Sequence, residues 1–179
     1  MILVEGDLQI NFTNAMQVLK FDQPDKNHAE YHDISKMPRV DFIIECIDSI
    51  FFIEIKDTSV PNAADVGNQK FWQKVSDATL NKSLVEKYLY TFFFRWAECS
   101  LEKSVHYVSL ITIESALLNL VVDPLNKSMK HFSQKSTRWS RDPLVVCEVH
   151  NLETWKMRYP QWPVARLSAQ SQVSAGAAS

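Results

Sequence analysis

Two carboxylates and a lysine occur in the sequence in an order that suits the binding of a cation. Glu54 follows Asp41 by thirteen positions, and Lys56 comes two positions after Glu54. Two carboxylates held close together repel each other, and a hard divalent cation such as Mg²⁺, which prefers oxygen ligands, relieves that repulsion. These residue types therefore favour a metal site, provided that the chain brings the three side chains to one place.

The segments around these residues predict a β-hairpin that would do so. Residues 40–46 and 51–57 are rich in β-branched and aromatic residues and are joined by a short polar turn. A turn centred on residues 48–49 places Asp41 opposite Lys56, and opposed residues share a face with Cβ atoms roughly 5 Å apart. One face of the hairpin then carries the three charged side chains. The other face carries only apolar ones, namely Phe42, Ile44, Cys46, Phe51, Ile53 and Ile55.

The expected chemistry is metal-assisted hydrolysis. Asp41 and Glu54 are the expected ligands of Mg²⁺, with Mn²⁺ able to substitute, and the main-chain carbonyl of Ile55 can complete the coordination because such ions accept backbone oxygens. The positive charge of Lys56 can orient an attacking water or stabilise the charge that develops on a phosphoryl group. The pattern therefore favours chemistry at a phosphoryl group.

The pattern resembles the PD-(D/E)XK nuclease superfamily. Asp41 is followed by the Glu-Ile-Lys tripeptide 54–56 on the second strand of a hairpin, and the restriction-endonuclease-like core of that family runs helix, three strands, helix, strand. The resemblance covers residues 35–150 by element order. It implies that Asp41 and Glu54 bind the metal ion and that Lys56 is the catalytic lysine.

The chain departs from the family pattern at one position and leaves two others open. Val40 stands where the family has a proline, and Pro38 lies two residues earlier. The resemblance also implies an acidic residue from the first helix, for which Glu5 and Glu30 are candidates. A further residue from the helix after the second strand is implied, for which Gln69, Gln73 and Lys82 are candidates.

The remaining elements predict a mixed α+β fold, in which a central sheet of about four to five strands is flanked by helices. Apolar residues at helical spacing predict an amphipathic helix from about Lys82 onward. Its inward positions are Leu84, Tyr88, Phe92 and Trp96. Further strands are predicted at 106–113 and 144–149, and short helices at 13–20, at 151–158 and from Asp123-Pro124 to Phe132.

We expect one domain over residues 1–167 and a disordered tail over 168–179, which consists of small and polar residues. The sequence has no secretory signal pattern and no apolar run of membrane-spanning length, so we expect a cytoplasmic protein that does not contact a membrane. Its three cysteines have no metal-ligand spacing, which favours a reducing compartment. Its three glycines form no phosphate-binding loop.

Residues 126–141 contain five lysines or arginines and no acidic residue, although the whole chain has a net charge of −2. Phe132 and Trp139 are interleaved with these basic residues. Such a stretch is typical of a segment that follows a phosphate backbone, and the alternative is a mobile, solvated surface loop. The predicted nucleic-acid contacts are Lys127, Lys130, Lys135, Arg138 and Arg141.

The sequence therefore predicts a metal-dependent endonuclease acting on DNA. The resemblance implies a role in bacterial defence or DNA repair, with targeting by a homodimer or a partner subunit. One alternative is a catalytically silent subunit of the same fold that binds nucleic acid or a partner protein. Another is an ordinary hairpin whose charges lie on the solvent face.

Overall fold

A computed structural model describes residues 1–31, 33–34, 36–58, 64–134 and 136–169, with the side chains of 64–66 left aside. The strands are β1 (Ile2–Glu5), β2 (Leu8–Asn11), β3 (Gln17–Lys20), β4 (Phe42–Glu45), β5 (Ser49–Lys56), β6 (Ser104–Ile111), β7 (Val146–His150) and β8 (Val164–Arg166). The α-helices are α1 (Ala64–Ser76), α2 (Thr79–Ala97), α3 (Asn119–Met129) and α4 (Leu152–Arg158), and a short 3-10 helix spans Ser115–Leu117.

The central sheet has five strands in the order β3-β4-β5-β6-β7. Its first three strands are antiparallel, whereas β5, β6 and β7 run parallel to one another. A second, antiparallel sheet has the order β1-β2-β8. The predicted mixed α+β class and the size of its central sheet are confirmed.

The predicted hairpin is present as β4 and β5, but its register differs by two residues. Phe42 pairs with Ile53, and the turn is closed by a 2.9 Å hydrogen bond from the Cys46 N–H to the Ser49 carbonyl. The expectation that Asp41 faces Lys56 is therefore wrong, because the observed register places Asp41 opposite Glu54. A two-residue shift leaves every side chain on its original face, since strand side chains alternate with a period of two.

Apolar side chains cover both faces of the central sheet. On one face, residues such as Ile43 and Phe52 pack beneath α2 and α3. On the other, Phe42 and Ile53 pack against Trp155 and the small sheet. The face predicted to be apolar is indeed buried, and the charged face lies beneath α2.

The N-terminal expectation of a short helix over 13–20 is wrong. Residues 17–20 form β3, in which Val18 is buried and pairs with Ile44, whereas Met16 is 63% exposed. As a strand, residues 17–20 form backbone hydrogen bonds with the outer edge of β4. This stabilisation comes from a segment distant in sequence, so a local helical pattern does not reveal it.

Two details of the predicted helices are also wrong. Helix α3 begins at Asn119 rather than at Asp123, so Pro124 lies in its interior. Val121 and Leu125 bury their side chains in the core one turn apart. This burial outweighs the loss of the one hydrogen bond that the proline cannot make. Trp96, expected to point inward, is 63% exposed. The predicted α4 is confirmed, and Asn151 caps it by accepting from the Thr154 N–H at 2.9 Å.

The end of the described part contacts the first sheet. The Ser168 hydroxyl donates to Asp7 at 2.7 Å and its N–H donates to the same carboxylate at 2.9 Å. The domain end at residue 167 and the disordered tail stay predictions, and residues 170–179 of that tail lie outside the described part. Within the described part, no helix combines the length and the apolar character needed to cross a bilayer.

Candidate functional site

Asp41 is held in place from two sides, directly before β4. Its carboxylate accepts a 2.6 Å hydrogen bond from the Ile55 N–H of β5. The preceding Val40 N–H donates to the Thr91 hydroxyl of α2 at 3.1 Å. Only 4% of Asp41 is exposed, so the strand pair and the helix together fix this carboxylate inside the protein.

Glu54 projects from β5 towards α2 and is fully buried. It forms an ion pair with Lys56, and both of its carboxylate oxygens accept from the Lys87 ammonium, at 2.6 and 2.7 Å. The same ammonium lies 3.5 Å from the Asp41 carboxylate. The structure thus brings Asp41, Glu54 and Lys56 together and adds Lys87, which was not among the predicted residues.

Burial and mutual repulsion shape the ionisation of this cluster. Desolvation, followed by the charge of Glu54, raises the pKa of Asp41 to about 7, even though Lys87 and Lys56 oppose the shift. For Lys56, desolvation alone would lower the pKa, but the carboxylates of Glu54 and Asp41 outweigh it and the pKa is raised. Lys56 is therefore a cation at neutral pH, whereas Asp41 gains or loses its proton there.

Lys87 lies on the side of α2 that packs on the sheet. It follows the buried Leu84 by three positions and precedes the buried Thr91 by four, so helical spacing puts it on the same side of the helix. That spacing was the signal that could have identified it. The candidate Lys82, by contrast, has a side chain 75% exposed that lies 3.8 Å from Glu86.

A second acidic group adjoins the first through Asp41. Glu5, Asp22 and Asp41 each offer a carboxylate oxygen, and these oxygens lie within 4.8 Å of one another. The Lys20 ammonium lies 2.6 Å from Glu5 and 3.4 Å from Asp22. Of the two acidic candidates, Glu5 belongs to this group, while Glu30 accepts from the Lys20 N–H at 3.2 Å. Asp22 was not predicted.

The other candidates from the helices lie elsewhere. Gln69 and Gln73 are exposed on α1 and line an open cavity of about 530 Å³ beside Trp72. Among the described residues, neither glutamine forms a hydrogen bond with the carboxylates of Asp41 or Glu54. Sequence spacing alone did not distinguish the outward side of α1 from the side facing the sheet.

The predicted nucleic-acid residues fall into two places. Lys127 and Lys130 are exposed at the C-terminal end of α3. Arg138 and Arg141 line a surface groove of about 660 Å³ between α2 and the segment before β7. Lys135 lies outside the described residues. The groove also contains two exposed indole rings and one acidic side chain, those of Trp96, Trp139 and Glu102.

The central arrangement suits a hard cation near a phosphate group. Two buried carboxylates supply oxygen ligands, and a permanently charged lysine lies beside them to contact an anion. Comparisons with protein-family models, with curated proteins and with solved structures found no match. The geometry of Asp41, Glu54, Lys56 and Lys87 therefore carries the functional argument.

Proposed function

We propose that this chain is a Mg²⁺-dependent nuclease that hydrolyses phosphodiester bonds of DNA and is related to the PD-(D/E)XK nucleases. The observation that carries the proposal is that Asp41 and Glu54 are both buried and contact one shared ammonium. Buried carboxylates are costly unless a cation compensates them. An ordinary hairpin with charges on a solvent face does not have this arrangement, so the burial of Asp41 and Glu54 favours the metal site over that alternative.

The groups around the two carboxylates fit a hydrated magnesium ion. The Lys56 carbonyl accepts from the Thr112 N–H on the β6 side. Because carbonyls alternate along a strand, the Ile55 carbonyl points to the β4 side, where Asp41 lies. Ser109 pairs with Glu54 and is fully buried, and its hydroxyl interacts with the Tyr107 phenol. Because paired residues of neighbouring strands share a face, this hydroxyl adds a polar group on the side of the sheet where Glu54 lies.

Each residue then has a definite task. Asp41 and Glu54, with Glu5 or Asp22 nearby, would hold the cation, and Mg²⁺ in such a site would activate a water and neutralise developing charge. In the metal-free protein, burial would lower the pKa of Lys56, but the carboxylates of Glu54 and Asp41 outweigh burial and raise it. This ammonium can donate a hydrogen bond to a phosphoryl oxygen beside the carboxylates.

The order of elements supports the family relationship. Three antiparallel strands, two helices and a strand parallel to the third follow one another from β3 to β6. That order follows the family core from its first strand onward, except that two helices stand where the family core has one. Among the described residues before β3, however, the helix that opens the family core is replaced by the β1–β2 hairpin.

The groove beside α2 supports a nucleic acid as the substrate. Arg138 and Arg141 can contact phosphates, and the exposed rings of Trp96 and Trp139 can stack on bases. DNA is the substrate that we propose, cut at the carboxylates and held in part by these side chains.

The test is cleavage of labelled DNA by the purified protein with Mg²⁺, with Mn²⁺ and with EDTA. We expect divalent-ion-dependent cleavage that falls by about a hundredfold or more in Glu54→Gln and in Lys56→Met. Glu45→Gln is the matched control, because Glu45 lies on β4 and pairs with Lys103 at 2.6 Å, away from the shared ammonium. Full activity in both site variants, with folding verified by circular dichroism, would overturn the proposal.

The position of Lys87 favours a second candidate, a catalytically silent subunit of the same fold. Its ammonium already compensates the two carboxylates that a metal ion would bind. Such a protein would bind DNA in a salt-dependent manner that EDTA does not change, and it would cleave no substrate. The same assay therefore separates the two functions.

A further inference from the structure

Lys87 occupies the position between the carboxylates that a shared cation would take. Its ammonium lies 2.6 and 2.7 Å from the two oxygens of Glu54 and 3.5 Å from Asp41. These three oxygens belong to side chains that are at least nine-tenths buried. The cluster thus contains a cation supplied by the chain itself.

The two carboxylates of this cluster already have two cationic partners. Asp41 and Glu54 lie against Lys56 and Lys87. A divalent cation added to these four groups brings two more positive charges into a buried place, which is unfavourable. The neighbouring carboxylates of Glu5 and Asp22 are already paired with Lys20. Withdrawal of one lysine removes one positive charge, and a phosphate group can offset another.

Lys87, rather than Lys56, is the lysine that competes for this position. Lys87 contacts both carboxylates, whereas the ion pair of Lys56 is with Glu54. Lys87 also belongs to a helix, so its side chain can withdraw without any change in the strands that carry the carboxylates. Its side chain is 18% exposed, which leaves it a route to solvent.

We propose that Lys87 is an internal competitor of the divalent cation, and that its ammonium leaves the Asp41–Glu54 pair when a metal ion binds. The identity of the metal rests on the proposed function, but the competition itself does not require cleavage. In this role Lys87 sets metal affinity and keeps the metal-free carboxylates from repelling each other.

The ion pair of Lys103 provides a matched comparison. Its side chain is similarly buried, at 23% exposed, and lies 2.6 Å from Glu45 at the other end of β4. It contacts one carboxylate and the Cys46 carbonyl at 2.7 Å, not two buried carboxylates. Lys103→Met therefore removes a comparable ion pair without altering the proposed cation position.

The first experiment measures Mn²⁺ binding by calorimetry in the wild type, Lys87→Met and Lys103→Met. We expect Lys87→Met to bind Mn²⁺ about tenfold more tightly or better, and Lys103→Met to bind like the wild type. Unchanged or weaker binding in Lys87→Met overturns the proposal, as does the absence of Mn²⁺ binding in all three proteins. Tighter binding in a protein whose wild type never cleaves DNA supports the competition and contradicts the nuclease function.

The second experiment uses the wild type alone and does not depend on the folding of a variant. An amine-acetylating reagent is applied with and without Mg²⁺, and the modification rates of Lys87 and Lys103 are followed by mass spectrometry. We expect Mg²⁺ to raise the rate at Lys87 several-fold and to leave Lys103 unchanged. An unchanged or slower rate at Lys87, at a Mg²⁺ concentration that calorimetry shows to be saturating, overturns the proposal.

Discussion

The Lys87 ammonium donates to both carboxylate oxygens of Glu54, at 2.6 and 2.7 Å, across the interface between α2 and β5. The carboxylate is fully buried, so its charge depends on partners supplied by the protein. The contact therefore connects α2 to β5 through the carboxylate oxygens of Glu54. The same oxygens are the proposed metal ligands. Stability and metal binding are expected to depend on each other at this contact.

The first prediction concerns the stability of the metal-free protein. Lys87→Met leaves Glu54 with one cationic partner, and breaking a buried ion pair by removing one member costs about 3–5 kcal/mol. We expect the free energy of unfolding in EDTA to fall by an amount near the lower end of that range, because Lys56 remains paired with Glu54. Urea denaturation followed by circular dichroism measures it.

The control for this prediction is the double variant Lys87→Met/Glu54→Gln, which removes both charges. We expect it to regain part of the lost stability, because the fully buried Glu54 charge is removed together with the ammonium that compensated it. The stability lost in Glu54→Gln alone is the reference. If adding Glu54→Gln to Lys87→Met costs the same amount of stability, the two residues do not interact.

The second prediction follows from the raised pKa of Asp41, about 7 in the folded protein against an ordinary value of 3.8. Between these values the folded protein binds a proton that the unfolded chain has released. The stabilisation from this proton is complete below about pH 3.8 and is lost as the pH rises through 7. Asp41→Asn imitates the protonated form and can still accept from the Ile55 N–H.

We therefore expect Asp41→Asn to melt a few degrees above the wild type at pH 8 in EDTA, with the difference shrinking towards pH 5. Differential scanning calorimetry over this pH range checks the prediction. If the variant melts at or below the wild-type temperature at pH 8, the charged form of Asp41 does not destabilise the folded protein at that pH.

The face on which each site residue lies could be predicted from the sequence, but its exact neighbours could not. Alternation along β4 and β5 is a local property, and it correctly placed Asp41 and Glu54 on one side. The register depends on the turn, where Cys46 pairs with Ser49 instead of the turn being centred on 48–49. The observed turn consists of Ile47 and Asp48, one residue earlier than the predicted centre, and Ile47 is an apolar residue that turn composition does not indicate.

The contribution of distant elements was the main part that sequence reasoning missed. Lys87 reaches the carboxylates only because α2 packs over β5, and Glu5 and Asp22 reach Asp41 only because the N-terminal strands fold back beside β4. Such contacts are set by tertiary packing, whereas periodicity reports one element at a time. Helical spacing from Leu84 would have identified Lys87, but Asp22 lies outside any regular element and had no comparable signal.

The third prediction concerns Glu148 of β7. Burial would raise the pKa of its carboxyl, but hydrogen bonds from Tyr159, Arg158 and His150 outweigh burial and lower the pKa to about 2. The Tyr159 hydroxyl donates to it at 2.6 Å. The stability that this carboxylate contributes is complete above about pH 4.5 and is lost as the pH falls towards 2.

Glu148→Gln is therefore expected to lower the melting temperature by a few degrees at pH 7 and to have almost no effect near pH 2. Glu86→Gln is the control, because the exposed Glu86 side chain lies 3.8 Å from the exposed Lys82 and not within a buried set of donors in the described part of the chain. A melting temperature of Glu148→Gln that parallels the wild type at every pH from 2 to 7 contradicts the prediction.

The fourth prediction concerns the groove lined by Arg138, Arg141 and Trp139. Each arginine that neutralises a phosphate adds about 0.7–0.9 to the slope of log affinity against log salt concentration. Arg138→Ala/Arg141→Ala should therefore weaken DNA binding and flatten that slope by about 1.4–1.8. Lys156→Ala is the control, because Lys156 is exposed on α4, which packs against the opposite face of the sheet.

Substitution of Trp139 separates the contribution of base stacking from that of charge neutralisation in the same groove. Stacking of one base on an aromatic ring contributes about 1–3 kcal/mol and carries no salt dependence of its own. Trp139→Ala should therefore weaken the binding of single-stranded DNA by about fivefold or more while leaving the salt slope of the wild type. Fluorescence anisotropy with a labelled oligonucleotide, titrated at several salt concentrations, measures both quantities. If Arg138→Ala/Arg141→Ala and Trp139→Ala lower the affinity for DNA no more than Lys156→Ala does, the DNA binds to another surface of the protein.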